Sequence, residues 1–298
     1  MITAPIHASP EPIVEWARSA RFAAAGLDKR FQFCVVLSEQ GFEPGDSELV
    51  DDFWPSGAQV CWLGGPAALA SPEDWPRSVS GEPLAHVVTI DLACTYGVMD
   101  REFRGFWRGH DLGEDLPKEG FLQVFFLLGA FGHDAEDGAE GAWQVRWSSS
   151  REGLNLVQPP EDLDLPSEVC QLALPMASFS IPSPLDVKDE AFEAAEAANE
   201  SYQSSWNFER TGGTDKRPFP VSRLYGHSDH GEGLAVDEVL PEVLPLDEGD
   251  EYRLVLEVES WSALEGWFGD VGTLEVWMRR SDLLEQRFEN AWCILRTD

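Results

Sequence analysis

The sequence predicts an α+β fold, mainly antiparallel β, with internal duplication of a two-strand unit and a few peripheral helices. Three observations carry that prediction. Strand-like stretches outnumber helical ones, and their spacing is that of hairpins rather than of β-α-β units. The heptapeptide Gly272-Thr-Leu-Glu-Val-Trp-Met278 has an approximate copy about 150 residues earlier, Gly120-Phe-Leu-Gln-Val-Phe-Phe126. Each copy follows another strand-like stretch, Ala85–Leu92 and Tyr252–Val258 respectively.

Taken in order, residues 11–26 read as an amphipathic helix. Pro12 suits its first turn, Gly26 ends it, and Ile13, Trp16, Ala17, Ala20 and Ala24 share one face. Phe31–Leu37 reads as a strand, and Gly41–Pro55 as an acidic loop or irregular hairpin. Val60–Leu63 is a short strand ending at the turn Gly64-Gly65-Pro66, where the backbone needs positive φ or close approach. Ala67–Pro83 reads as loop pinned by Trp75, Leu84–Leu92 as a strand, and Tyr96–Asp115 as a surface excursion. Phe121–Leu128 is the first repeated strand, followed by an acidic turn at 134–140 and a half-buried strand, Trp143–Trp147, in which apolar and polar residues alternate.

Asn155–Pro166 is extended, Val169–Leu174 a short strand, and Pro175–Pro184 a loop anchored by Phe179. Leu185–Asn207 is the longest helix candidate, with Asp186 able to cap it. Arg210–Pro220 is a basic Gly/Pro-rich loop, Val221–Gly226 leads into the turn 226–231, and Asp237–Asp250 is an acidic loop. Tyr252–Val258 is a strand with Tyr252, Leu254, Leu256 and Val258 on one face; Trp267 and Phe268 pin the connection to the second repeated strand. Ser281 caps a short helix, Asp282–Gln286, and Trp292–Leu295 is the last strand. In the two copies Leu122 and Val124 match Leu274 and Val276 on a core face. Gln123 and Phe125 match Glu275 and Trp277 on a second face, expected to be only partly covered. The organisation expected is an added helix and strand over 1–55 and a duplicated β-rich domain over 56–298, its halves meeting between Val157 and Asp186.

Charge is the dominant global property. Fifty-four Asp and Glu face 21 Lys and Arg in 298 residues, a formal net charge of −33. Such a surface repels nucleic acid and anionic lipid and attracts basic proteins. Acidity also serves solubility, and acidic proteomes occur in salt-adapted organisms. No apolar run is long enough for a membrane helix, and Met1–Pro12 lacks the basic and apolar regions of a secretory signal, so a cytoplasmic protein is expected. The five cysteines are odd in number, form no C-x-x-C pair and read as small core residues in a reducing compartment.

Several motifs occur in one ordered series: Gly64-Gly65-Pro66, Trp75-Pro76, Pro83-Leu84 leading to Ile90-Asp91-Leu92, Leu116-Pro117-x-x-Gly120-x-Leu122-x-x-Phe125-Phe126, and Gly269-Asp270-x-Gly272-x-Leu274. This series, with Leu224-Tyr225-Gly226, resembles that of the YwqG-like bacterial proteins over Val60–Phe288. Thr89, His227 and Phe268 depart from it, standing where that family usually has Gln, Pro and Trp. The resemblance implies a cytoplasmic, β-rich α+β protein with internal duplication. It brings no agreed activity.

No catalytic or cofactor motif is present, and no cofactor is expected. The one paired histidine motif, His227-Ser-Asp229-His230, offers a metal site of His227, His230 and Asp229, against a reading as a solvated polar turn. Asp91 and Asp270 are the carboxylates best placed for chemistry, against a reading as turn caps. The expected function is a non-enzymatic acidic protein-binding module of the immunity or antitoxin type, masking a basic partner such as a toxin, with neither nucleic acid nor membrane as partner. Its binding surface would use Glu43, Asp46, Glu48, Asp51 and Asp52; Asp134, Glu136, Asp137 and Glu140; and Asp237, Glu238, Glu242, Asp247, Glu248, Asp250 and Glu251. The alternative is a metal-dependent or small-molecule enzyme with a cleft between the repeated halves.

Overall fold

Strands built from alternating large apolar residues need both faces covered, and one curled sheet provides that here. The computed structural model describes residue 30 and residues 32–39, 47–99, 115–202, 222–260, 263–269 and 272–297. The helix expected at 11–26, Glu43, Asp46, Asp270 and the basic loop at 210–220 lie outside the described residues. Ten strands form a single antiparallel sheet in the order β12-β11-β10-β9-β1-β8-β2-β4-β5-β6. They are β1 (Gln32–Ser38), β2 (Cys61–Gly64), β4 (Ala85–Asp91), β5 (Phe121–Phe126), β6 (Trp143–Ser148), β8 (Cys170–Ser180), β9 (Arg223–Leu224), β10 (Tyr252–Glu259), β11 (Thr273–Arg279) and β12 (Trp292–Arg296). β3 (Ala67–Leu69) and β7 (Asn155–Val157) pair separately.

The sheet nearly closes on itself. Its outermost strands, β6 and β12, meet where Trp143 and Trp292 stack edge to face at 4.6 Å and Trp143 Nε1 donates to the Ala291 carbonyl. Inside the curl one cluster gathers Val35, Leu63, Ile90, Leu122, Val124, Leu256, Leu274, Val276 and Leu295. Both repeated heptapeptides are strands, with Leu122 and Leu274 fully buried. Their second face, expected to be half-covered, is buried too. Phe121 lies under α1 (Ser47–Ser56), Phe125 under β3, β7 and Trp75, and Trp277 under the helical turns at 234–243.

The two outer meanders share a register. β4 carries a bulge between His86 and Val88, and β10 one between Leu254 and Leu256. Thr89 then opposes Gln123 as Glu257 opposes Glu275. The bulge also corrects the expected single face of β10: Leu254 packs outward with Trp277, whereas Leu256 and Val258 point into the central core.

Two further corrections share one cause, apolar residues that become a buried stripe only in a helix. Residues 47–56 are helical rather than looped because Val50 and Trp54 pack on Trp62, Phe121 and Leu172. The acidic stretch Asp237–Asp250 is a loop only from Leu244 on: Leu234–Val239 is π-helical and Leu240–Val243 α-helical (α5), burying Ala235, Val239 and Leu240. Part of the expected surface excursion is α2 (Leu92–Met99), and the acidic turn at 134–140 is α3 (Ala135–Ala139), capped by Asp134 accepting from the Glu136 amide. α4 (Asp189–Tyr202) begins after Asp186, whose Oδ1 accepts from the Glu232 amide instead of capping it. α6 (Arg280–Leu284) begins before Ser281, whose hydroxyl bonds Asp250. β8 runs straight through Pro175. Pairing with β2 ends at Ala173, so a residue lacking an amide hydrogen is tolerated while β1 pairs on the other side. Among the described residues no helix is long and apolar enough to cross a membrane.

Candidate functional site

Charge in the middle of a sheet needs a compensating partner, and the outer face of β9, β10 and β11 holds several. Strand alternation that sends Leu224, Leu256 and Val276 into the core sends Arg223, Glu257 and Glu275 to the other face. All three are almost fully buried. Arg223 Nη2 donates to Glu257 Oε2 at 3.0 Å, to Asp229 Oδ1 at 2.8 Å and to the His227 carbonyl. Glu275 accepts from the Ser228 hydroxyl and from Trp277 Nε1 at 2.8 Å, with Arg296 3.5 Å away. Arg296 also donates to the carbonyls of His230 and Gly231.

Two glutamates opposite one another in a ladder repel. Burial pushes the Glu257 carboxyl well above the usual range, with Arg223 pulling the other way. Burial raises Glu275 as well, opposed by Arg296 and by the bonds from Ser228 and Trp277. For Arg223, burial alone would lower the guanidinium, but Asp229 and Glu257 hold it well above its ordinary value. The matching positions of the other meander are neutral. His86 donates from Nδ1 to the Gly64 carbonyl and accepts at Nε2 from Thr89, and Gln123 bonds both the amide and the carbonyl of Ala68. Burial pushes the His86 imidazole down to about 4, which keeps it uncharged at neutral pH.

The charged cluster fixes the turn that carries the predicted histidines. Tyr225 and Gly226 both have positive φ, and a Cβ on Gly226 would stand 2.5 Å from Ser180 Oγ. His227 donates from Nε2 to the Arg30 carbonyl at 2.6 Å, and its Nδ1 lies 3.1 Å from Glu232. His230 Nε2 lies 3.1 Å from the Thr273 hydroxyl. The structure does not bring the two histidines together with Asp229 as a ligand set. Asp229 instead converges with Glu257 and Glu259, one carboxylate oxygen from each within 4.8 Å of the others. The Arg223 guanidinium already rests on two of those three and supplies the positive charge a cation would bring. Glu257 is fully buried and Asp229 exposed, and Arg223 joins the two, which ties the turn to the sheet. Asp91 is a helix cap: its Oδ1 accepts from the amides of Ala93 and Cys94.

An open cleft of about 730 Å³ lies beside this turn. Pro245, Leu246 and Trp277 give it an apolar lining; Glu232, Asp250 and Glu251 give it negative charge against Arg253. The predicted acidic surface divides as follows. Glu48, Asp51, Asp52, Asp134, Glu136 and Glu140 are exposed on α1 and α3. Asp237, Glu238, Glu242, Asp247, Glu248 and Glu251 are exposed on the chain that walls the cleft. Asp137 and Asp250 are half-buried and serve the fold, Asp137 accepting from the amides of Phe131 and Gly132 and Asp250 from Ser281. Sequence reasoning missed Arg223, Glu257, Glu275 and Arg296 because polar residues alternating with apolar ones read as solvent-facing. The signal was two glutamates at matching places in strands with no other charge at their centres.

No curated protein matches this chain. A family model described as a domain of unknown function (DUF1963) spans residues 62–296, from the second strand of the sheet to the last. With most of its length matched, the chain belongs to the DUF1963 family.

Proposed function

We propose that the protein is a non-enzymatic binding module for a basic polypeptide, of the immunity or antitoxin kind, and that the cleft walled by residues 237–251 receives it. The observation that carries this reading is the pairing of an apolar lining with a fringe of exposed carboxylates, Asp237, Glu242, Asp247, Glu248 and Glu251, on a chain of net charge −33. A partner with lysine or arginine beside a large apolar side chain complements both features. The motif series shared with the YwqG-like bacterial proteins supports a bacterial origin, and five cysteines with no disulfide among them support a reducing, cytoplasmic setting. The matched bulges and opposed polar pairs of the two meanders support an origin by duplication.

The test uses synthetic basic peptides that carry an aromatic or leucine anchor, titrated at low and at high salt. Removing three charges by Glu242→Gln, Asp247→Asn and Glu248→Gln is expected to weaken binding about tenfold or more at low salt. Removing three elsewhere by Asp51→Asn, Asp52→Asn and Glu136→Gln is expected to change it little. Equal losses in the two triple variants would reduce the attraction to bulk charge and remove the cleft from the argument.

A further inference from the structure

Cys61 and Cys94 are 33 positions apart in sequence and on different elements, β2 and α2, yet their sulfurs lie 3.6 Å apart. From this contact we propose that Cys61 and Cys94 form an oxidisable dithiol, a modification site at which a hydroperoxide converts the pair to a disulfide. The arrangement is directional. Cys94 Sγ donates to the Asp91 carbonyl at 3.1 Å, which leaves Cys94 sulfur to accept from the Cys61 thiol. Cys94 is half-buried in the first turn of α2, the less covered of the two, whereas Cys61 is fully buried. The less covered cysteine therefore has a resolving thiol in van der Waals contact. Closing the bond requires the sulfurs to approach to about 2.05 Å, a shift of roughly 1.5 Å. The other three cysteines, Cys34, Cys170 and Cys293, are buried.

The chemistry balances in two steps. Cys94 sulfur attacks the terminal oxygen of the hydroperoxide, the O–O bond breaks, and the alcohol departs with a proton, leaving a sulfenic acid on Cys94. Cys61 sulfur then displaces the sulfenic hydroxyl. The S–S bond forms, the S–O bond breaks, and the hydroxyl leaves as water with the Cys61 proton. Two thiols lose two electrons, and the hydroperoxide becomes alcohol and water. The product would tie the start of α2 to the middle of the sheet, and a dithiol reductant would reverse it.

Treating the reduced full chain with tert-butyl hydroperoxide tests this. Titratable thiols in denaturant are expected to fall from five to three. The intact mass should drop by about 2 Da, and a peptide map should join Cys61 to Cys94. Cys94→Ser, a change at a half-buried position, should keep all four of its thiols under the same exposure. Dithiothreitol should restore the five in the parent chain. Cys94 advancing to sulfinic acid with Cys61 still reduced would overturn the proposal. So would a cross-link through another cysteine, equal thiol loss in the Cys94→Ser variant, or no reaction at a dose that oxidises free glutathione.

Discussion

Arg223→Met is expected to destabilise the protein by about 3–5 kcal/mol at neutral pH, because it strands a carboxylate in the sheet rather than removing a contact at the surface. Glu257 is fully buried and has Arg223 as its one cationic neighbour within 4 Å among the described residues. Burial already pushes Glu257 up in the parent; without the opposing guanidinium the folded variant keeps it protonated to higher pH than the parent does, while the unfolded chain ionises it above the ordinary value of 4.5. Above that pH the native state then holds more protons than the unfolded state, so its stability falls as pH rises. The deficit of the variant should therefore shrink as pH is lowered toward 4.5, measured by urea unfolding across that interval. Adding Glu257→Leu should recover most of the loss, since an apolar replacement for both members of a buried pair is often neutral. A single variant within 1 kcal/mol of the parent at pH 7, by the scale set for such pairs, would mean that the cluster does not hold the sheet.

Leu274→Ala should cost about 2–5 kcal/mol by the same measurement. Leu274 is fully buried near the start of β11, opposite Val258 on one side and Leu295 on the other. Neighbours fixed by two ladders cannot collapse into the space, which places the expected value toward the upper end. Leu122→Ala, at the matching place in β5 between Ile90 and Trp147, should behave alike. Leu274→Met keeps the volume and should stay under about 1.5 kcal/mol. A small loss in both alanine variants would contradict a core shared by the two meanders.

Strands were the legible part of the sequence. β4, β5, β10 and β11 announce themselves by alternation, and Gly64 and Gly65 by a turn that only glycine fits: a Cβ on Gly64 would sit 2.3 Å from the Val169 carbonyl oxygen. Helices were harder to see. The stretch beginning at Asp237 looks like solvated acid until Ala235, Val239 and Leu240 find Leu254, Trp277 and Ile294. Local pattern also could not reveal partners chosen by topology. Arg223 meets Glu257 only because β9 lies beside β10, and Cys61 meets Cys94 only because α2 folds back against the sheet. The acidic surface was legible as composition, whereas the division into carboxylates that bond the fold and carboxylates that face outward needed coordinates.

The position of β1 bears on how the chain is made. This strand precedes the span matched to the family, yet it sits between β8 and β9, pairing with partners roughly 140 and 190 positions further along. At ordinary rates of synthesis of about 5–20 residues per second, β1 leaves the ribosome roughly 10–40 s before β9 exists. Until β8 emerges, Phe33, Cys34, Val35, Val36 and Leu37, all buried in the finished sheet, have no ladder to join. Thus β1, the first of the described strands, waits while β2, β4, β5 and β6 are made and can pair. The nascent chain consequently carries a sticky β segment while those strands are synthesised, and recovery of soluble protein should depend on elongation speed and on chaperones that hold the strand until β8 and β9 arrive.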